Sequence, residues 1–157
     1  MIEKELKVTY HEYESLAELP ENDRELAEAA IGAMNNAYAP YSHFHVGAAV
    51  RMSNNEIVTG SNQENAAYPS GLCAERTAMF SAGAKFPDKK MLSIAVAAGV
   101  YGLLTEEPAT PCGACRQVMA QCQTRSGNPM SVIMVGKRRI WKFDKVNDIL
   151  PLIFDSI

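Results

Sequence analysis

Two nearly continuous apolar runs constrain the fold of this 157-residue chain more than any other feature. They occupy residues 94–100 and 130–135, and neither contains a charged side chain. Runs of this length without polar alternation are typical of strands that are buried on both faces of a sheet. Because both faces of such a sheet must be covered, the runs predict a central sheet with helices on either side.

The periodicity of the remaining chain places helices and shorter strands around these runs. Apolar residues recur at helical spacing from Asn22 to about Tyr38, and Asn22 precedes Glu25 at a spacing that resembles a capping pair. The other expected elements are strands at 46–52, 56–60 and 140–143, helices at 73–82 and from 112 to about 124, and a short helix from 144 to about 150. This order predicts an α/β fold with a mixed sheet.

The sequence divides into two parts. Residues 1–20 are polar and irregular, so we expect an N-terminal arm that is extended or forms a strand. Residues 21–157 contain no Pro/Gly/Ser-rich linker, and their length predicts one domain.

Charge and hydropathy exclude some classes of partner. A formal net charge of −3 disfavours a strongly basic nucleic-acid surface, which depends on clustered Lys and Arg. The longest apolar stretch is too short to cross a bilayer, and the first ten residues lack the apolar core of a secretory signal. We therefore expect a soluble, cytoplasmic protein without nucleic-acid or membrane partners.

The four cysteines point to chemistry rather than to disulfides. A reducing cytoplasm favours metal-binding or catalytic roles for Cys73, Cys112, Cys115 and Cys122. The C-x-x-C spacing of Cys112 and Cys115 is shared by redox pairs and structural zinc sites, so by itself it leaves both open. Cys122 lies seven residues beyond Cys115 and is expected to be a small core residue.

Three of these cysteines begin predicted helices. Cys73 begins one helix, and Cys112 and Cys115 begin another; the partial positive charge of helix N-termini stabilises the thiolates that bind metal. Three sulfurs would leave the fourth position of a zinc ion open to water, as in catalytic sites. The pattern therefore predicts catalytic zinc.

Two charged residues follow Cys73 on the same helix. Glu75 can stand beside the metal without ligating it, where a carboxylate can exchange a proton with activated water. Arg76 can offset the excess negative charge of three thiolates. Taken alone, however, two such residues are most often a solvated pair on a helix surface.

Together these segments resemble cytidine deaminase, in its small three-cysteine, zinc-dependent, homotetrameric class. The resemblance rests on Cys73-Ala74-Glu75-Arg76 and on Pro111-Cys112-Gly113-Ala114-Cys115, and it covers roughly residues 25 to 155. Further matching segments are the stretch from Tyr38 to Ala49, the stretch from Asn62 to Pro69, and Leu150-Pro151 with Phe154.

The resemblance implies a fold, a reaction and an assembly. The fold is a three-layer α/β/α sandwich with a five-stranded mixed sheet. The reaction is hydrolytic deamination of cytidine and deoxycytidine to uridine and deoxyuridine, with water activated by Zn²⁺ attacking C4 and ammonia leaving, as in pyrimidine salvage. The assembly is a homotetramer with shared active sites.

The resemblance also implies a role for individual residues. Zinc is held by three ligands, namely Cys73, Cys112 and Cys115, and Arg76 contacts their thiolates. Glu75 shuttles the proton. Asn62 and Glu64 are expected to bind the ribose, and Phe44 to pack on the pyrimidine with Val46 nearby. The backbone around Ala74 is expected to bind the amide edge of the base. Phe154 is expected to reach into a neighbouring subunit's pocket.

Three other functions compete with this interpretation. A blasticidin S deaminase-like enzyme, or another aminopyrimidine nucleoside deaminase, shares the Cys-Ala-Glu and Pro-Cys-Gly-x-Cys elements; the segments around Phe44 and around Asn62 and Glu64 favour cytidine instead. Editing of polynucleotides is disfavoured by the acidic balance. A non-catalytic, zinc-stabilised binding module is disfavoured by Glu75 beside a three-ligand site.

Overall fold

The computed structural model describes residues 1–155, in which a seven-stranded sheet is combined with three α-helices. The strands are β1 (His11–Tyr13), β2 (Phe44–Met52), β3 (Ile57–Ser61), β4 (Met91–Val100), β5 (Leu103–Leu104), β6 (Ser131–Val135) and β7 (Ile140–Phe143). The helices are α1 (Glu21–Ala33), α2 (Ala74–Lys85) and α3 (Gly113–Ser126). No helix within this part of the chain is both long and apolar enough to span a bilayer.

The sheet is mixed, as predicted. Its strand order is β1-β7-β6-β4-β2-β3, and within residues 1–155 only β4 and β6 pair in parallel. The crossover between these two strands contains α3, as a parallel connection requires. Beyond the end of β6, the short β5 takes over the same edge of β4, with Gly99 opposite Leu104.

Helices cover both faces of the sheet and complete the three expected layers. On one face, Leu26 of α1 packs with Ala49, Ala95 and Ile133 of the central strands. On the other face, α2 and α3 pack through an apolar cluster that includes Met79, Met119, Val50, Ile94 and Val132. Each fully buried side chain of this size stabilises the fold by about 1.5–3 kcal/mol.

Glycine at two strand positions allows helices to lie directly on the sheet. A Cβ atom on Gly60 of β3 would lie 2.4 Å from the backbone nitrogen of Ala78 in α2. A Cβ atom on Gly47 of β2 would lie 2.1 Å from the carbonyl oxygen of Ala30 in α1. Both separations are shorter than any real contact, so only glycine permits this approach, and the contact at Gly60 fixes the position of α2 on the sheet.

The sheet has two more strands than the five predicted. All five expected strands are present, and β1 and β5 are added at its margins. The strand β5 forms because Tyr101 and Gly102, with φ of 52° and 79°, make a tight turn that folds the chain back on β4. The strand β1 pairs with β7 beside Tyr10, whose ring stacks on Phe143 with centroids 5.2 Å apart.

Three details of the predicted helices are wrong. The first helix ends at Ala33 rather than near Tyr38. Asn22 does not cap α1: the helix follows Pro20, Asn22 lies inside its first turn, and no side chain caps it. The expected last helix, 144–150, is a single 3₁₀ turn at Val146–Asp148. The division at residue 20 stays a prediction, and residues 156–157 of the expected domain lie outside the described residues.

Candidate active site and metal centre

The starts of α2 and α3 bring three cysteines together. Cys73 directly precedes α2, Cys112 directly precedes α3, and Cys115 lies buried in the first turn of α3. Their sulfur atoms all lie within 4.8 Å of one another. Two helix N-termini therefore point their partial positive charge at one cluster of thiols.

Hydrogen bonding distributes charge unequally within this cluster. The Cys115 thiol donates to the sulfur of Cys73, which lowers the pKa of Cys73 to about 5, and Arg76 supports the same charge with Nη2 at 3.7 Å from that sulfur. The bond to Cys73, together with burial, raises the pKa of Cys115 well above its usual value. Ionisation of Cys73 is thus favoured and that of Cys115 is opposed, and a bound cation would favour the thiolate form of both.

The donor set fits zinc. Three thiolate sulfurs are soft ligands, and in a tetrahedral zinc site with Zn–S distances of about 2.3 Å such sulfurs stand about 3.8 Å apart. A separation of at most 4.8 Å is close to that geometry. Cys122, by contrast, lies on a groove between α2 and α3 beside Phe80, outside this cluster.

Glu75 is a buried carboxyl group beside the cluster. Only 4% of the residue is exposed. Burial, followed by the neighbouring charge of Cys73, raises the pKa of this carboxyl above its usual value. A carboxyl tuned in this direction holds a proton more readily near neutral pH, as general acid–base catalysis requires.

A cavity of about 280 Å³ joins the cluster to a second group of side chains. At one end it is lined by Cys73, Cys112 and Glu75. The other lining residues are Ser42, Phe44, Val46, Asn62, Glu64, Val96, Ala98, Ala109 and Thr110. Apolar walls with a few convergent polar groups are typical of small-molecule sites.

Asn62 connects the end of β3 to the start of β2. Its Oδ1 accepts a hydrogen bond from the backbone N–H of Val46 at 2.8 Å, and its Nδ2 donates to the carbonyl of Phe44 at 2.8 Å. An amide has one further N–H and one further lone pair, so Asn62 retains the capacity to bind a ligand hydroxyl.

Glu64 is held by the turn that precedes β2. Its Oε2 accepts from the backbone N–H groups of Tyr41 and Ser42, at 2.9 and 3.2 Å, and its Oε1 accepts from the Ser42 hydroxyl. The hydroxyl contact, followed by the backbone contacts, lowers the pKa of Glu64 from its ordinary value, so this carboxylate is ionised at neutral pH.

The structure gathers most residues proposed from sequence around one cavity. Ala74 is buried between Cys73 and Glu75. Phe154, however, does not line the cavity within the described chain: it is 68% exposed, and its carbonyl accepts a bond from Gln117 at 2.6 Å.

Sequence reasoning assigned no role in the site to Val96 and Ala98 of β4, or to three lining residues outside the strands, Ser42, Ala109 and Thr110. Ala109 and Thr110 immediately precede the Pro-Cys-Gly-x-Cys motif, and Ser42 lies in the segment from Tyr38 to Ala49. Proximity to those motifs was the available signal for all three.

Comparison with known proteins gives one consistent result. Residues 20–128 match the family described as "Cytidine and deoxycytidylate deaminase zinc-binding region". The chain is 47% identical over 96 residues to a cytidine deaminase of Halalkalibacterium halodurans, and 46% identical over 89 residues to one of Sporosarcina psychrophila. These matches cover 61% and 57% of this chain, and 68% and 61% of the relatives.

Solved structures resemble the chain over a greater length. The crystal structure of cytidine deaminase from Burkholderia pseudomallei matches with a TM-score of 0.68 and 38% identity, covering 83% of this chain and 97% of that one. The crystal structure of cytidine deaminase from Mycobacterium tuberculosis matches with a TM-score of 0.62 and 32% identity, covering 84% of this chain and 96% of that one.

Proposed function

The chain belongs to the zinc-dependent cytidine deaminase family, and from this premise we propose how its own residues bind and deaminate cytidine and deoxycytidine. The reaction adds water at C4 of the base and releases ammonia, giving uridine or deoxyuridine. One observation carries the proposal: three sulfurs lie within 4.8 Å of one another, and two of their residues, Cys73 and Cys112, line a cavity together with the buried carboxyl group of Glu75.

Cys73, Cys112 and Cys115 hold the metal as thiolates. When bound there, zinc supplies the Lewis acidity that brings the pKa of a water molecule toward neutrality. Three thiolates carry one more negative charge than Zn²⁺ neutralises. Arg76 offsets this excess by donating to Cys73, and the two helix N-termini act in the same direction.

Glu75 moves the proton. Its carboxylate takes a proton from the attacking water and delivers it to ring N3 while the water oxygen bonds to C4. Glu75 then passes the second proton of the water to the amino group, the C4–N bond breaks, and ammonia leaves. A single carboxyl group serves both transfers, and its low exposure of 4% keeps bulk water from competing for the proton.

The opposite end of the cavity orients the nucleoside. Phe44 packs against the pyrimidine with Val46 beside it, and backbone groups around Ala74 bind the amide edge of the base. Asn62 and Glu64 bind the ribose hydroxyls, which places C4 next to the water. Phe44, Val46, Asn62 and Glu64 line the same cavity as Glu75, which supports this orientation.

Phe154 contributes to a neighbouring subunit's site in a homotetramer. Its exposure of 68%, with 81% for the nearby Leu152, supports this role, since apolar side chains this exposed favour burial in an interface. Cytoplasmic localisation is supported by the chemistry of the site, because a reducing compartment keeps cysteine thiols available as metal ligands.

Turnover of a panel of substrates tests the proposed function. The zinc-loaded protein is mixed with cytidine, deoxycytidine, cytosine, CMP, blasticidin S and a single-stranded oligonucleotide, and the ultraviolet spectrum and ammonia release are followed. We expect turnover of cytidine and deoxycytidine well above that of the others. Preferential turnover of blasticidin S or the oligonucleotide, or no ammonia from any substrate, would contradict the proposal.

A further inference from the structure

The turn formed by residues 41–43, hereafter loop 41–43, makes contacts that the mechanism above does not use. It surrounds the carboxylate of Glu64 with three donors: two backbone N–H groups, from Tyr41 and Ser42, and the Ser42 hydroxyl. Within the described chain, the hydroxyl is the only side-chain donor among these three. Exchanging the side chain of residue 42 therefore removes one donor and leaves the two backbone donors in place.

These donors leave Glu64 with little freedom. An ionised carboxylate has about four acceptor positions, and loop 41–43 occupies three of them. The remaining position is on Oε1, the oxygen that accepts from the Ser42 hydroxyl. Without these bonds the partly exposed Glu64 side chain would populate several rotamers, and a ligand would have to immobilise it.

Loop 41–43 is itself anchored by contacts that do not involve Glu64. The backbone N–H of His43 donates to the carbonyl of Ala39 at 3.0 Å, and the N–H of Phe44 donates to the Ser42 hydroxyl at 3.0 Å. The His43 ring stacks on Tyr101 at the tip of the β4–β5 turn, with centroids 5.9 Å apart. Because these contacts hold the turn independently of Glu64, the turn can determine the position of the Glu64 carboxylate.

We propose that Ser42 is a positioning residue for the substrate, which acts through Glu64 by fixing its carboxylate with one acceptor free for a ribose hydroxyl. This inference rests on the proposed function of Glu64 as a ribose ligand. It goes beyond that function because it assigns part of the selectivity for hydroxylated sugars to a side chain that need not touch the substrate.

The kinetic test compares Ser42→Ala with Ser42→Thr, which keeps the hydroxyl. Ser53→Ala is the matched control, because the Ser53 hydroxyl also accepts a backbone N–H, from Lys90, but lies beyond the far end of β2. Each variant is assayed with cytidine and with 2′,3′-dideoxycytidine, which lacks the hydroxyls that Glu64 would bind.

We expect Ser42→Ala to raise KM for cytidine about 5- to 30-fold with kcat changed less than about two-fold, as the loss of one charge-assisted hydrogen bond implies. With 2′,3′-dideoxycytidine, its kcat/KM should stay within about two-fold of the unmodified chain. Ser42→Thr should recover most of the cytidine KM, and Ser53→Ala should leave both substrates unaffected. Equal losses for the two nucleosides, or no loss for cytidine, would overturn the inference.

A second measurement does not depend on turnover. Carboxyl NMR of the folded chain follows the titration of Glu64, and we expect its pKa to be higher in Ser42→Ala than in the unmodified chain and in Ser42→Thr. An unchanged Glu64 titration would refute the positioning role even if the kinetics changed. If the unmodified chain released no ammonia from cytidine, the proposed function would fail, whereas the titration would still report whether Ser42 holds Glu64.

Discussion

The two ends of the cavity are built in different ways. At the metal side, formed by Cys73, Cys112, Cys115 and Glu75, the reactive groups lie at or within the first turns of α2 and α3. At the proposed ribose side, formed by Phe44, Asn62 and Glu64, they lie at strand ends and in loops, and Glu64 is partly exposed. Glu75, by contrast, is only 4% exposed.

The difference follows from what each end has to do. Proton transfer and metal binding need groups held at fixed distances in a water-poor site, and helices packed on a sheet provide that rigidity. A nucleoside has to enter and leave, so the residues proposed to bind its ribose lie in more open structure, whose geometry depends on side-chain hydrogen bonds. Substitutions at the metal side should therefore abolish the reaction, and those at the ribose side should weaken binding.

The largest effect is expected for Cys112→Ala. Removing one of three sulfurs should abolish stable metal binding and, with it, detectable deamination. Elemental analysis of the purified protein measures its zinc content. Cys122→Ala is the control, because that thiol lies outside the cluster. Full zinc occupancy in Cys112→Ala would remove Cys112 from the ligand set.

Glu75→Gln should separate metal binding from catalysis at the same end. The amide keeps the size of the side chain but cannot accept a proton, so we expect kcat to fall by at least about 10²- to 10⁴-fold while zinc content stays unchanged. Steady-state kinetics on protein of measured zinc content decides the matter. Turnover close to that of the unmodified chain would eliminate Glu75 as the proton shuttle.

Asn62→Ala should produce a smaller loss, dominated by binding. The substitution removes a proposed ribose contact and leaves the N–H of Val46 and the carbonyl of Phe44 without their side-chain partner. We expect kcat/KM for cytidine to fall about 10- to 100-fold and unfolding free energy to fall by about 1–3 kcal/mol. Asn54→Ala, in the β2–β3 turn, is the control. Unaltered kinetics would leave Asn62 with a structural role alone.

Tyr101→Ala should give the smallest effect and tests the support behind loop 41–43. Loss of the stacking on His43 should raise KM for cytidine about 2- to 3-fold without lowering kcat. Leu103→Ala changes an equally exposed residue next to the same turn and should have no effect. A similar response in both variants would show that the turn acts as a whole rather than through Tyr101.

The metal side was largely predictable from sequence, and the ribose side was only partly so. Cys73, Cys112 and Cys115 were found because thiolates at two helix starts are a local pattern, and the apolar runs indicated that the helices flank one sheet. The contact between Ser42 and Glu64 joins residues 22 positions apart in loops without periodicity. Such a pairing depends on tertiary structure, and neither residue reveals it alone.

The errors in the fold have a similar origin. The strand β5 is two residues long, and β1 only three, so neither gives a periodic signal of its own. Each is held by neighbours distant in sequence: β1 pairs with β7, more than a hundred residues away. Asn22 is a residue type that commonly caps helices, but α1 begins at Glu21, so the N-cap position is occupied by Pro20 instead.

X-ray absorption spectroscopy of the zinc-loaded protein tests the central claim most directly. The account predicts three sulfur neighbours at about 2.3 Å from the metal and one oxygen neighbour at about 2.0 Å, the position open to water. Four sulfur neighbours would indicate a closed structural site, and two or fewer would show that these cysteines do not bind the metal together; either result would contradict the account.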